Sequence, residues 1–169
     1  MKLPGRSLKL QRIFSETIGD PKLGAEIGVQ FGKNAFAMLT FYPSLHLQLV
    51  DCYDDSICRA HPRFSAAEVQ TNAVARLPSF SNRVVWSITK SFVAAELIKN
   101  KSLDYVFIDA GHDCNSVKVD IESWRWKVRD GGLLLGHDFN KRFPGVRQAV
   151  MERFTGRVHK YGDVWWVQC

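Results

Sequence analysis

The feature that most constrains this chain is an apolar strand that runs into an amphipathic helix through two glycines. From Ala25 to Gly32 the residues read Ala-Glu-Ile-Gly-Val-Gln-Phe-Gly. Glycines at such a turn let the backbone pass close to a ligand, as in nucleotide-binding α/β proteins. A dinucleotide site has the spacing G-x-G-x-x-G, whereas here Glu26 stands in place of the first glycine. A carboxylate at that position repels a pyrophosphate and suits a ligand with positive charge, which disfavours an NAD-dependent oxidoreductase.

Strand-like and helix-like segments alternate along the whole chain. The predicted strands are 23–29, 46–51, 83–88, 104–109, 133–135, 157–161 and 164–168. The predicted helices are 8–18, 31–41, 66–77 with Ser65 as its cap, 92–99, 117–128 and 145–154. Gly131 and Gly132 are expected to break the chain before the fifth strand. This order predicts a Rossmann-like, doubly wound α/β fold: a mainly parallel sheet with helices on both faces and an antiparallel strand at one edge.

Length and composition fit one soluble globular domain. The 169 residues are 46% hydrophobic and 24% charged, and residues 1–22 are expected to form an N-terminal helical extension. No apolar run approaches the roughly 20 residues of a membrane span, and the first residues lack the apolar core of a signal peptide. The four cysteines show no C-x-x-C spacing, which favours a reducing compartment and a cytoplasmic location.

Ligands of such sheets bind beyond the carboxyl ends of the strands. This rule selects the residues that follow each predicted strand: Glu26 to Gly32, Asp51, Ile88 to Ser91, Asp109 to His112, and His137 to Asn140. Acidic groups and histidines are concentrated in these segments, so we expect the functional site at this edge.

Several of these segments, in this order, resemble motifs of the class I S-adenosylmethionine-dependent methyltransferases. Glu26-Ile-Gly28-Val-Gln-Phe-Gly32 is similar to the first motif of that family, and Asp51 is similar to the acid that ends its second strand. Phe107-Ile-Asp-Ala-Gly-His112 and Gly131-Gly-Leu-Leu-Leu-Gly-His-Asp138 resemble the small-molecule O-methyltransferase branch, which includes catechol and sugar O-methyltransferases. The resemblance covers the chain from about Gly24 to Gln168.

The resemblance implies S-adenosylmethionine as cofactor and names the residues that would contact it. They are Glu26, Gly28, Gly32, Asn34, Asp51, Cys52, Ser91 and Asp109. Asp51 would hold both ribose hydroxyls, since a carboxylate accepts two hydrogen bonds from a vicinal diol. Each polar position also has a structural alternative: a helix or turn cap for Asp51, a surface acid at a strand end for Glu26, and a first-turn structural residue for Asn34. No acid marks the adenine pocket near Ser91.

The family's catalytic base falls on His112, three residues after Asp109. Imidazole titrates near neutral pH and can take the proton of a hydroxyl acceptor. The alternative is a loop histidine that only caps the following helix.

A divalent metal such as magnesium would bind Asp109 and Asp138, which end neighbouring strands. The sequence departs from the catechol-type pattern here, because Phe139 follows Asp138 where that branch has an amide ligand. Asn140 or His137 would have to replace the amide, and His137 as ligand would favour manganese or zinc. Without a third ligand, the two acids cap strands or contact the cofactor amine.

The net charge of +6 permits an acidic partner. Lys141 and Arg142 follow the fifth strand, and Arg59, His61 and Arg63 follow the second. We expect a small-molecule acceptor with an acidic or sugar-like group, the alternative being a solvated basic rim.

Other functions can be ranked from the same segments. Nucleic-acid base methylation is disfavoured, because Asp109-Ala-Gly-His112 stands where an N-P-P-Y-like run would be. RNA ribose methylation and a non-catalytic cofactor-binding domain stay open as alternatives. Little sequence precedes the first strand to close over a substrate, so a homodimer is expected.

Overall fold

Seven strands form one sheet in the computed structural model, which describes residues 4–55 and 63–169. The strands are β1 (Leu23–Ile27), β2 (His46–Asp51), β3 (Val84–Ile88), β4 (Leu103–Ile108), β5 (Val128–Gly136), β6 (His159–Tyr161) and β7 (Val164–Gln168). They are ordered β3-β2-β1-β4-β5-β7-β6. The first five run parallel, and β7 pairs antiparallel with both β5 and β6. The predicted fold class is confirmed, including the antiparallel hairpin at one edge.

Helices cover both faces of the sheet. They are α1 (Gly5–Glu16), α2 (Lys33–Phe41), α3 (Ala66–Arg76), α4 (Ser91–Glu96), α5 (Cys114–Trp124) and α6 (Pro144–Phe154), with a 3-10 turn over Pro78–Arg83. Helix α3 is capped by Ser65, the residue before it, whose hydroxyl accepts from the backbone N–H of Glu68 while the Glu68 carboxylate accepts from the Ser65 N–H. This capping box satisfies donors that the first turn leaves free, and it confirms Ser65 as the cap.

The core consists of two apolar layers, one on each face of the sheet. Helices α1 and α2 contribute residues such as Phe14 and Met38 to one layer, which also holds Phe107 of β4. Helices α4, α5 and α6 contribute to the other, where Trp124 and Trp165 are almost fully buried. Alternate residues of β4 enter opposite layers, as the two-residue period of a strand requires. Because β4 is covered on both faces, its carboxyl end is held firmly at the centre of the sheet.

Three predicted boundaries are wrong, and all three lie at glycines whose conformation depends on tertiary contacts. Strand β1 ends at Ile27 rather than residue 29, and α2 starts at Lys33 rather than residue 31, because residues 28–32 form a loop with positive φ at Gly28, Gln30 and Gly32. Strand β5 starts at Val128 and runs through the glycine pair, whereas a break and a start at 133 were expected. Gly131 has φ +76° and the pairing with β4 shifts register there, so the glycines bend the strand without ending it.

The other helix and strand boundaries differ from prediction by a few residues. Helix α5 spans Cys114–Trp124 instead of 117–128, and α4 spans Ser91–Glu96 instead of 92–99. None of the helices in the described ranges has the length and apolar character needed to cross a membrane.

Candidate functional site

A loop of residues 28–32, the glycine loop, carries the chain from β1 into α2 at the carboxyl edge of the sheet. Gly28 has φ +88°, and a Cβ there would overlap the backbone carbonyl of Asp109 at the end of β4. Gly32 has φ +67° and is the residue immediately before α2. Left-handed φ values and the close backbone approach explain why glycine stands at these positions. The N–H of Gly28 donates to the carbonyl of Val50 at 2.8 Å, which ties the loop to β2.

Asp51, at the end of β2, fixes the glycine loop by accepting hydrogen bonds from its backbone. Its Oδ2 accepts from the backbone N–H groups of Val29 and Gln30, both at 2.9 Å, and its Oδ1 accepts from that of Tyr53 at 3.0 Å. The hydroxyl of Tyr53 donates to the carbonyl of Gln30 at 2.9 Å and so adds a second contact to the glycine loop. The turn-cap role weighed for Asp51 is therefore present in the structure, and ribose binding by Asp51 and contact from Cys52 stay predictions.

Glu26 is buried at 3% exposure, one residue before the end of β1. Burial raises its pKa to about 8, while the charge of Arg6 and a hydrogen bond from Asn34 act in the opposite direction. The Asn34 side-chain N–H donates to Oε2 at 3.1 Å, and its own oxygen accepts from the hydroxyl of Ser7 at 2.6 Å. Asn34 is 2% exposed, so both amide ends serve this internal network. The surface-acid alternative for Glu26 is wrong, because the side chain lies inside the protein.

Arg6 reaches this region from the first turn of α1. Its Nη1 donates to Oδ2 of Asp109 across a separation of 103 residues. Its Nε is buried and makes no hydrogen bond to any residue that the structure describes. The guanidinium therefore contributes a positive charge, and a donor without an acceptor, beside the glycine loop.

His112 and Asp138 meet beyond the ends of β4 and β5. The His112 Nε2 lies 2.8 Å from Oδ2 of Asp138, and the imidazole stacks on the ring of Phe143 at 4.3 Å between centroids. The hydrogen bond to Asp138 raises the pKa of His112, because the carboxylate favours the imidazolium. Asp138 has φ +59°, a left-handed conformation that a residue other than glycine adopts only under constraint. The ring is thus oriented on two sides while its side chain is still 45% exposed.

His137 lies between three carboxylates. Its Nδ1 is 3.5 Å from Oδ1 of Asp109 and 3.3 Å from Oδ1 of Asp138, and its Nε2 is 3.4 Å from Oδ2 of Asp163. Burial opposes the imidazolium form, but Asp109 and Asp138 outweigh it and raise the pKa of His137 to about 9. The Nδ1 is buried and has no hydrogen-bond partner within the described part of the chain. Lys9 pairs with the remaining oxygen of Asp163 and holds it beside the ring.

The structure brings three predicted metal ligands together. Ligand atoms of Asp109, His137 and Asp138 all lie within 4.8 Å of one another. Asn140 does not join them, because its Oδ1 accepts from the backbone N–H of Arg142 at 2.8 Å. Phe139 packs against the core. Of the two replacements for the missing amide ligand, only His137 lies at the cluster. We call Asp109, His112, His137 and Asp138 the acceptor corner.

Within residues 4–55 and 63–169, the hydrogen bonds of the Ser91 side chain go to α5 and not to another predicted cofactor residue. Its hydroxyl accepts from Nε1 of Trp124 at 2.8 Å and is hydrogen-bonded to Asp120. Burial raises the pKa of Asp120 to about 6. The Ser91 side chain thus links α4 to α5, and adenine contact there stays a prediction.

The basic residues expected around the site are only partly placed. Arg59 and His61 lie outside the described residues. Arg142 lies 5.4 Å above the ring of Phe143, the ring on which His112 stacks. Sequence reasoning missed Arg6 and Asp163, because each is far along the chain from the residue it contacts and no local motif marks it.

Comparison with known proteins agrees with this arrangement. A family model described as a methyltransferase domain matches residues 25–139, which include the glycine loop and the whole acceptor corner. A comparison with curated proteins gives no match.

Solved structures with the same fold include several methyltransferases. CalS11, a TDP-rhamnose 3′-O-methyltransferase of calicheamicin biosynthesis, is 14% identical with a TM-score of 0.68, over 96% of this chain and 78% of that chain. A methyltransferase from Geobacter sulfurreducens is 14% identical with a TM-score of 0.69, over 99% and 79% of the two chains. An O-methyltransferase family protein from Burkholderia thailandensis is 14% identical with a TM-score of 0.65, over 96% and 56%.

At these identities the structural likeness establishes the fold, and the family match establishes the family. The matched segment spans more than half of the chain and carries the Glu26–Gly32 motif at the carboxyl edge of the sheet. The chain belongs to the methyltransferase-domain family and is a class I S-adenosylmethionine-dependent methyltransferase.

Proposed function

We propose that this methyltransferase transfers the methyl group of S-adenosylmethionine to a hydroxyl of a small acceptor, with His112 as the base. The observation that carries the proposal is the contact of 2.8 Å between His112 Nε2 and Asp138 Oδ2, next to Asp109 at the end of β4. A base that is oriented by a carboxylate is the arrangement that proton removal from a hydroxyl requires.

In this proposal the two ring nitrogens of His112 have different roles. Nε2 is held by Asp138, and Nδ1 makes no hydrogen bond within the described ranges, so Nδ1 receives the acceptor's proton. Stacking on Phe143 fixes the ring plane. The carboxylate of Asp138 stabilises the imidazolium that forms when the proton arrives. Half of the ring is exposed, so an acceptor can reach it.

The bond changes balance without any further reactant. A lone pair of the acceptor oxygen forms the new O–C bond as the C–S bond of the sulfonium breaks. The sulfur keeps that electron pair and becomes the thioether of S-adenosylhomocysteine, and the hydroxyl proton moves to Nδ1 of His112. Holding donor and acceptor in line supplies much of the acceleration of such a displacement.

The donor set of the acceptor corner also fits a divalent cation. Oδ1 of Asp109 and Oδ1 of Asp138 face the buried, unpartnered Nδ1 of His137. Asp163 lies against the other ring nitrogen, as carboxylates do behind metal-binding histidines. Asp109, His137 and Asp138 would hold the ion. A cation there lowers the pKa of a coordinated hydroxyl, and two oxygens with one nitrogen suit manganese or zinc as well as magnesium.

For the acceptor we propose a small molecule with an anionic group, such as a nucleotide-linked sugar. Arg142 lies beside Phe143 and therefore close to His112, and guanidinium groups recognise phosphates well. CalS11, which shares the fold, is a methyltransferase named for a TDP-sugar.

Methyl transfer from labelled S-adenosylmethionine to a panel of acceptors tests this function. The panel contains TDP-sugars, the corresponding free sugars, catechol, an amine analogue and RNA. We expect transfer to a hydroxyl, with TDP-sugars preferred over free sugars. Arg142→Glu should raise the KM for the anionic acceptor, while Arg157→Glu, a matched charge reversal on an exposed arginine that contacts Phe154, should not.

Three results would contradict parts of the proposal. Transfer to the amine analogue alone would exclude oxygen as the acceptor atom, and transfer to RNA alone would favour the ribose-methylating alternative. An unchanged KM in Arg142→Glu would contradict the proposal that the acceptor carries an anionic group, but it would not bear on methyl transfer to a hydroxyl.

A further inference from the structure

Arg6 has no assigned role in the reaction, although its guanidinium lies at the junction between the glycine loop and the acceptor corner. It is contributed by α1, outside the family-matched segment. The preceding contacts show how it is placed: Ser7, the next residue, donates to Asn34 at 2.6 Å, and Asn34 lies in the first turn of α2 directly after the glycine loop. The start of α1 is therefore fastened to the residues that surround the cofactor loop.

The guanidinium of Arg6 is only partly satisfied by the protein. A guanidinium offers five N–H donors, of which Nη1 binds Asp109. Nε is buried without an acceptor. Buried donors are nearly always paired in native proteins, because an unpaired one costs about 1–3 kcal/mol. The free donor therefore indicates an acceptor that belongs to a ligand.

The charges around Arg6 indicate which kind of ligand group this is. Glu26, Asp51 and Asp109 are carboxyl groups within electrostatic range of one another, and Arg6 is the cation that acts on Glu26. The carboxylates of Asp51 and Asp109 suit the ammonium and sulfonium of the cofactor, while Glu26 is held neutral by burial. The cofactor's α-carboxylate needs a cation instead. Lys33, at the start of α2, is directed onto the ring of Phe31, and the Nε of Arg76 donates to the Phe31 carbonyl. Among the described residues, Arg6 is the cation that acts on Glu26 and binds Asp109.

We propose that Arg6 binds the α-carboxylate of the cofactor's methionine moiety through Nε, while Nη1 stays on Asp109. Arg6 is thus a cofactor-binding residue supplied by α1. This inference rests on the proposed function only in requiring that S-adenosyl ligands bind. In this assignment α1 supplies the residue that binds the cofactor's α-carboxylate. Asn34 instead holds α1 in place through its hydrogen bond with Ser7.

Calorimetric titration with two nucleosides tests the assignment. S-adenosylhomocysteine and its decarboxylated analogue differ only in the carboxylate, and each is titrated into wild type, Arg6→Met, Arg6→Lys and Arg12→Met. Arg12 is the matched control, because it lies on the same helix and pairs with Glu16 and Tyr161 instead. Thermal unfolding of each variant shows that the fold is kept.

We expect Arg6→Met to weaken S-adenosylhomocysteine by about 10- to 100-fold, the range for a hydrogen bond between charged groups. The decarboxylated analogue should bind wild type and Arg6→Met alike, Arg6→Lys should recover part of the loss, and Arg12→Met should match wild type. Equal weakening of both nucleosides, or no weakening of either, would overturn the assignment of Arg6. A wild-type protein that binds neither nucleoside would overturn the proposed function as well, so the two failures are distinguishable.

Discussion

The two halves of the site treat their polar groups in opposite ways. Around the glycine loop, Glu26, Asn34 and Asp51 are satisfied by neighbouring protein groups, and Asp51 alone accepts three backbone hydrogen bonds. In the acceptor corner, His112 is 45% exposed and His137 has a buried nitrogen without a hydrogen bond. Satisfied groups fix shape, so Glu26, Asn34 and Asp51 keep the glycine loop in one conformation and leave Arg6 as the group there that offers a donor to a ligand. In the acceptor corner, the candidate base and ligand atoms themselves are available to a ligand.

The largest expected effect comes from replacing His112, which should remove catalysis in the acceptor corner and leave cofactor binding at the glycine loop unchanged. We expect His112→Ala to lower kcat by about 10²- to 10⁴-fold, the usual contribution of a general base, with unchanged affinity for S-adenosylhomocysteine. His159→Ala is the control, because that histidine also stacks on an aromatic ring, Trp166, but lies on β6. Steady-state kinetics and calorimetry give the two readouts. Retained turnover in His112→Ala would show that His112 is not the base.

Replacing Gly28 should disturb the glycine loop and lower the stability of the protein. Gly28→Ala combines a left-handed φ with overlap on the Asp109 carbonyl, so we expect a loss of about 3–5 kcal/mol in unfolding free energy. Gly19→Ala has a similar φ of +70° but no atom within 4 Å, and should lose only about 1–2 kcal/mol. Chemical denaturation measures both. Equal losses would show that the close approach to β4 does not restrict residue 28.

Replacing Asp163 tests whether the acceptor corner binds a divalent metal through His137. Asp163 lies 3.4 Å from Nε2 of His137, behind the face that would bind a cation. We expect Asp163→Asn to weaken Mn²⁺ binding by about 10- to 100-fold, as loss of such supporting carboxylates does. Asp130→Asn, on an exposed aspartate paired with Lys101, is the control. If wild type binds neither Mn²⁺, Zn²⁺ nor Mg²⁺ with cofactor present, the acceptor corner works without metal.

Over a single pH unit, the smallest expected effect is the pH dependence of stability that Glu26 causes. The native state keeps Glu26 protonated up to a pKa of about 8, whereas the unfolded chain ionises near the ordinary value of 4.5. The unfolded state therefore binds fewer protons between these values, and stability falls as pH rises, by up to about 1.4 kcal/mol per pH unit. Glu26→Gln should flatten this slope in denaturation curves taken across that range. An identical slope in both proteins would mean that Glu26 ionises normally.

Much of the fold and part of the site follow from local sequence patterns. Alternating strand and helix segments predict the doubly wound sheet, and the rule that ligands bind beyond strand ends selects Asp109, His112, His137 and Asp138 together. These residues meet because β4 and β5 are parallel neighbours, which the motif order already implies.

What could not be predicted depends on contacts between distant residues. Strand β5 continues through Gly131, because pairing with β4 overrides the local tendency of a glycine pair to break a strand. The sequence places Asp51 at a strand end, but the direction of its carboxylate toward the loop amides depends on packing. Arg6 reaches Asp109 over 103 residues, which no local pattern reports.

The most direct test of the division between the two halves is calorimetric titration of S-adenosylhomocysteine into wild type and His112→Ala, with NAD as the control ligand. The account predicts micromolar binding of S-adenosylhomocysteine to both proteins and no binding of NAD, because the proposed cofactor contacts at the glycine loop do not involve the base. Absence of S-adenosylhomocysteine binding to wild type, or equal binding of NAD, would contradict the assignment of the glycine loop to this cofactor.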